Sequence, residues 1–64
     1  MLQNHVQIKR KATSLTQEEL AQLVGVTRQT IIAIEKGNYV PSVALALAIA
    51  KHFKVSVESL FYIE

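Results

Sequence analysis

The sequence predicts an all-α fold of five short helices, and three observations carry that prediction. Helix starts are written out in the sequence, the stop residues stand where those helices must end, and the apolar residues between them recur at helical spacing. One proline, Pro41, and two glycines, Gly25 and Gly37, punctuate an otherwise helix-compatible chain of 64 residues. That length suits one domain, residues 1–64, with a small core.

The first helix is read over roughly Asn4 to Thr13, a stretch poor in apolar residues and carrying β-branched Val6, Ile8 and Thr13. The second starts in LTQEEL, where Thr16 caps and Glu19 reaches back to complete a capping box, with Leu15 and Leu20 forming a hydrophobic staple. VTRQTI repeats the design with Thr27 as cap and Val26 against Ile31. Ser42, after Pro41, caps a fourth helix running to about Phe53, and VSVESL opens a fifth at Ser56 with Val55 against Leu60. Gly25 and Gly37-Asn38 supply left-handed stops after the second and third helices. The second and third helices are then joined by only about three residues, Gly25 to Thr27. Helices so joined cannot run antiparallel and must cross steeply, which is helix-turn-helix geometry.

Composition excludes several classes. There is no cysteine, so neither disulfides nor thiolate metal sites exist, which fits a reducing compartment. No apolar run approaches the ~20 residues of a membrane span. The basic cluster of MLQNHVQIKRK follows its apolar residues, the reverse of a secretory signal. A cytoplasmic protein is expected. His5 and His52, expected at the surface, and five scattered glutamates make no metal-ligand spacing, and no nucleophile sits beside a base in a recognisable motif. The expectation is a non-enzyme with no cofactor, no metal and no small-molecule ligand. The net charge of +2 is too small to argue for nucleic acid by itself. Its placement says more: Lys9, Arg10 and Lys11 cluster, and Arg28 is the only charge between Glu19 and Glu35.

The stretch LTQEELAQLVGVTRQTIIAIEKGNYVPSVALALAIAKHFKVSVESLF, about fifty residues, resembles the phage-repressor and Cro family of helix-turn-helix proteins, the Xre family. Each motif position has a steric reason. Ala21 must be small where the helices cross, Gly25 must turn, and Leu20, Val24, Ile31 and Ile34 fill the space between. Two positions depart from the family pattern: Ser14 stands where a glycine is usual, and Lys9 stands near a usual apolar site.

The resemblance implies a compact lambda-repressor-like domain with its motif over about residues 16–36. It also implies that the third helix, Arg28 to Lys36, enters the major groove of double-stranded DNA. Helical geometry selects the same face independently: with Ile31 and Ile34 inward, Arg28, Gln29, Ile32 and Ala33 face outward. Arg28 can bond guanine O6 and N7, and Gln29 adenine N6 and N7. Ile32 either packs with Ala33 on a thymine methyl or is partly covered by the neighbouring loop. The resemblance further implies a phosphate contact by Gln17 at the start of the second helix. Thr27, Thr30, Lys36, Asn38 and Tyr39 are candidates for further backbone contacts, although capping also claims the Thr27 hydroxyl. Arg10 and Glu35 resemble the family's internal salt bridge.

The fourth helix carries more apolar surface than one core needs. Leu45, Ala46, Ile49, Ala50 and Phe53 make one inward stripe, while Val43 and Leu47 lie off it and the chain closes on Phe61, Tyr62 and Ile63. A homodimer through Leu47, Phe61, Tyr62 and Ile63 is expected, and a short β-ribbon between Met1–Gln3 and Tyr62–Glu64 is compatible with the two ends. The function expected is a sequence-specific transcriptional regulator, a repressor acting by occupancy of a palindromic operator. The alternatives are an antitoxin-type module that neutralises a partner protein, and a helix-turn-helix fold used only structurally. Little chain remains outside the domain to wrap a toxin, and the recognition face lacks acids, which disfavours both.

Overall fold

The computed structural model describes residues 1–64. In order along the chain these form β1 (Leu2–Asn4), α1 (Val6–Ala12), α2 (Gln17–Val24), α3 (Arg28–Lys36), α4 (Val43–Phe53), α5 (Val57–Leu60) and β2 (Phe61–Ile63). All five expected helices are present. The all-α expectation needs one correction, because β1 and β2 form a two-stranded antiparallel ribbon with Leu2 opposite Ile63, Gln3 opposite Tyr62 and Asn4 opposite Phe61. The ribbon considered from the sequence, between Met1–Gln3 and Tyr62–Glu64, is present with each strand set one residue further in, over Leu2–Asn4 and Phe61–Ile63. Backbone bonds extend the pairing at both ends, from Glu64 N–H to the Met1 carbonyl at 3.1 Å and from His5 N–H to the Leu60 carbonyl at 2.9 Å.

The ribbon also moves the start of the first helix. Asn4, expected within that helix, ends β1 instead. Its Oδ1 accepts the Val6 N–H at 3.1 Å, and its Nδ2 donates to the Ile34 carbonyl at 2.9 Å. One side chain thus starts α1 from two residues upstream and ties it to α3.

The other helix starts form as expected. Thr16 Oγ1 accepts the Glu19 N–H at 3.1 Å while Glu19 Oε1 accepts the Thr16 N–H at 2.8 Å, a complete capping box. Thr27, Ser42 and Ser56 each accept the backbone N–H three residues on, from Thr30, Leu45 and Ser59. Gly25 ends α2 at φ 77°. A Cβ there would meet nothing within 4 Å, so the dihedral alone demands glycine. Two other left-handed positions lack that freedom: Ser14 at φ 60° and Lys54 at φ 58°. Ser14 is the position where the resembled family carries glycine, and its dihedral is the physical reason.

The core lies where α2, α3 and α4 meet. Leu20, Ala21, Ile31, Ile34 and Ile49 are fully buried, with Val6 of α1 and Leu60 of α5 closing the two sides. Phe61, expected at a partner surface, is instead 8% exposed and part of this core. It follows Leu60 directly at the start of β2, before the strand runs outward through half-buried Tyr62 to exposed Ile63. His5, expected at the surface, is half-buried with its ring 4.9 Å from that of Tyr62. No helix is long and apolar enough to cross a membrane.

Two substitutions test this account with opposite signs. Ser14→Gly should stabilise by about 0.5–1 kcal/mol, since removing left-handed strain outweighs the added freedom of the unfolded chain. Ala21→Leu should destabilise by about 1–3 kcal/mol by overpacking the helix crossing. Urea melts monitored by circular dichroism read both; a destabilised Ser14→Gly protein, or an Ala21→Leu protein as stable as the parent, contradicts the corresponding claim.

Candidate nucleic-acid interface

α3 is presented by its two ends. At its start, Thr27 Oγ1 accepts the Thr30 N–H at 3.3 Å and shares a hydroxyl–hydroxyl bond of 3.1 Å with Thr30 Oγ1. Both expected backbone-contact hydroxyls are therefore engaged with each other, with Thr27 exposed and Thr30 half-buried. At its end, Gly37 adopts φ 80°, and the N–H groups of Gly37 and Asn38 donate to the carbonyls of Ile34 and Ala33 at 3.0 and 2.9 Å. The chain thereby leaves α3 with Lys36, Asn38 and Tyr39 all exposed, Lys36 standing in the last turn where the helix dipole favours a cation.

Between these ends the helix divides as its periodicity requires. Ile31 and Ile34 are fully buried, so Arg28 and Gln29 stand exposed on the first turn. Ile32 and Ala33 are half-buried, leaving part of the Ile32 side chain at the surface rather than all of it.

The one acid of α3 is turned away from this face. Glu35 Oε2 accepts from Arg10 Nε at 2.7 Å and Oε1 from Arg10 Nη2 at 3.2 Å, a two-pronged pair whose side chains are 9% (Arg10) and 3% (Glu35) exposed. Arg10 Nη1 also donates to the Leu15 carbonyl at 2.8 Å. The resembled family's internal salt bridge is thus formed, and Arg10, the middle residue of the basic cluster, is structural. With Glu35 neutralised inside, the charges α3 shows to solvent are Arg28 and Lys36, both positive.

Gln17, expected at a phosphate, is the first residue of α2 and is half-buried. Its Nε2 donates to Glu35 Oε1 at 3.1 Å, a contact that sequence reading missed because no spacing rule links residues 18 apart on different helices. Asn4 was missed for the same reason. The apolar residues of α4 read as lying off its inward stripe are exposed, Val43 at 77% and Leu47 at 53%, and Ile63 of β2 is 84% exposed.

Two short helices crossing through a three-residue turn, the second capped and turned outward, define a helix-turn-helix protein. The comparisons agree. The helix-turn-helix family model matches residues 6–60. An uncharacterized HTH-type transcriptional regulator of Methanocaldococcus jannaschii is 52% identical over 63 residues, covering 98% of this chain and 96% of that protein. The HTH-type transcriptional regulator YgzD of Bacillus subtilis is 49% identical over 63 residues, with the same coverage of 98% and 96%. Among solved structures, the restriction-modification controller protein C.AhdI from Aeromonas hydrophila superposes with a TM-score of 0.79 at 27% identity, over 86% of this chain and 83% of that one. The chain belongs to the helix-turn-helix family of the phage-repressor and Cro (Xre) type.

The buried pair makes a stability prediction. Glu35→Ala strands the Arg10 guanidinium in the interior and should cost about 3–5 kcal/mol, whereas Arg10→Met combined with Glu35→Leu should come close to the parent. Denaturant midpoints of the two variants falling together would refute it.

Proposed function

We propose that this chain is a sequence-specific DNA-binding transcriptional regulator of the cytoplasm that occupies a palindromic operator as a homodimer and represses by that occupancy, without catalysis. The observation that carries the reading is the exposed face of α3. Its first turn offers Arg28 and Gln29, two side chains with paired hydrogen-bonding groups suited to guanine and adenine edges, and its one acid is buried and neutralised. An acid left on that face would repel phosphate; here nothing on α3 does. Ile32 and Ala33 complete the base-reading surface, with the uncovered part of Ile32 suited to a thymine methyl. Gln17, Lys36, Asn38 and Tyr39 are assigned to phosphates, and Thr27 and Thr30 to the same role through whatever hydroxyl capacity their mutual bond leaves.

The partner surface is assigned to Leu47, Tyr62 and Ile63, with Val43 added and Phe61 withdrawn because the protomer's own core claims it. Exposed aliphatic side chains on α4 and on β2 suit a twofold contact between like surfaces. Two copies so joined would set their α3 helices about 34 Å apart, one duplex turn.

Selection of bound duplexes from a random library at stated salt should enrich a palindrome with half-sites about one turn apart. On the enriched site, Arg28→Ala should cost about 1–3 kcal/mol and relax one base position, while Lys36→Ala should weaken all duplexes alike. Sedimentation at micromolar concentration should give a dimer. No enrichment sinks the regulator reading, unchanged affinity in both variants sinks the assigned face, and a monomer bound to a single half-site sinks the homodimer.

A further inference from the structure

We propose that Glu35 is a positioning residue for the phosphate contact of Gln17, holding that side chain in its binding orientation before DNA arrives. The inference rests on the reading just given, in which Gln17 meets a phosphate at the start of α2. What it adds is a role for a side chain that is itself almost inaccessible.

Four hydrogen bonds link the start of α2 to α1 and α3. Arg10 Nη1 holds the Leu15 carbonyl at 2.8 Å, immediately before the Thr16 cap. Arg10 Nε and Nη2 grip both oxygens of Glu35. Glu35 Oε1 then accepts from Gln17 Nε2 at 3.1 Å, immediately after the cap. The turn is thus held on both sides of Thr16 by one ion pair whose two members sit on α1 and α3. Every buried side-chain nitrogen and oxygen in the molecule has a partner, the members of this cluster included.

The chemistry of the acceptor decides which end of that amide is available. A carboxylate has no proton to give, so the end of Gln17 facing Glu35 must be its NH2 group and not its carbonyl. That nitrogen carries two hydrogens; Glu35 takes one and leaves one for an anion. A carbonyl oxygen in its place would repel phosphate. The guanidinium of Arg10 has a second effect, since it cancels the charge of Glu35 and lets a phosphate approach a group bonded to a carboxylate without net repulsion. Holding the long, flexible Gln17 side chain in the free protein also removes rotamer freedom that binding would otherwise have to freeze.

A merely structural Glu35 would also make α2 fit α3, so the test must separate the two roles. In the free wild-type protein, labelled with 15N, the side-chain amide of Gln17 should be as rigid as the backbone by heteronuclear NOE, while the exposed Gln22 and Gln29 amides are mobile. On the selected operator, Gln17→Ala should weaken binding roughly tenfold, the loss of a hydrogen bond to a charged group. Glu35→Gln keeps an oxygen for Arg10 and should weaken binding several-fold in the wild-type background, but by nothing further in the Gln17→Ala background. A methylphosphonate at the phosphate served by Gln17 should weaken wild type most, Glu35→Gln less, and leave Gln17→Ala unaffected. Equal losses from Glu35→Gln in the two backgrounds overturn the proposal. So does a Gln17 amide as mobile as those of Gln22 and Gln29, a measurement that needs neither a variant nor DNA. If wild type selects a site and Gln17→Ala binds it equally well, the positioning role falls and the regulator reading stands. If wild type selects no site, the regulator reading itself falls.

Discussion

Helices of eight and nine residues, the lengths of α2 and α3, are too short to persist in water on their own propensity. Their existence depends on burying one face against each other and against α4, and the three-residue turn allows that only if the two axes approach closely at a steep angle. Ala21 is the residue on which that approach turns. It is fully buried, as are its neighbour Leu20 and, on the facing helix, Ile31 and Ile34, all in one core cluster. Because Ile31 and Ile34 are committed inward, the outward face of α3 has no freedom of phase, and Arg28 and Gln29 must stand where they do. The proposed base-reading surface is therefore a consequence of core packing before it is anything else.

Apolar packing sets the phase of α3 but does not fix how α1 lies across it, since α1 offers few apolar residues. The buried Arg10–Glu35 pair does that work, together with the Asn4 amide bonded to the Ile34 carbonyl. A pair of this kind contributes little net stability, because its desolvation cost offsets its attraction. Its effect is on geometry: any displacement of α1 along α3 would leave a charged group stranded in the interior. The same pair removes the only acid of α3 from solvent, so one interaction both locates a helix and sets the sign of the surface that DNA would meet.

How much of this was legible in the sequence follows from the range of each interaction. The cap of α2 at Thr16, and those of α3, α4 and α5 at Thr27, Ser42 and Ser56, act over three residues and were all readable, as were the stops at Gly25 and Gly37. The phase of α3 was readable because its periodicity is local. The ribbon between β1 and β2 joins opposite ends of the chain; its pairing was considered, but strands of three residues carry no alternation long enough to fix their bounds. Asn4 was misplaced for that reason, and Phe61 was assigned to the surface because an apolar chain end looks the same whether it covers its own core or a partner's. Ser14 and Lys54 hold left-handed dihedrals without the glycine that would announce them. Only the resemblance pointed at Ser14, and nothing pointed at Lys54. Arg10 and Glu35 lie 25 residues apart, and no periodicity joins them; there too it was the resemblance that named the pair.

The distribution of apolar residues connects stability to the proposed assembly. The protomer's core is a cluster of 11 buried residues, several of them alanine, which is little for a chain of this length to bury. Val43, Leu47 and Ile63 meanwhile remain largely in water. Covering them with a second copy would add apolar burial on the side of α4 away from the core, and the gain would scale with protomer concentration by mass action. Folding, dimerisation and the spacing of the two α3 helices would then be linked steps. In the proposed homodimer, dilution would loosen the pairing of half-sites, so binding would respond to the regulator's own abundance.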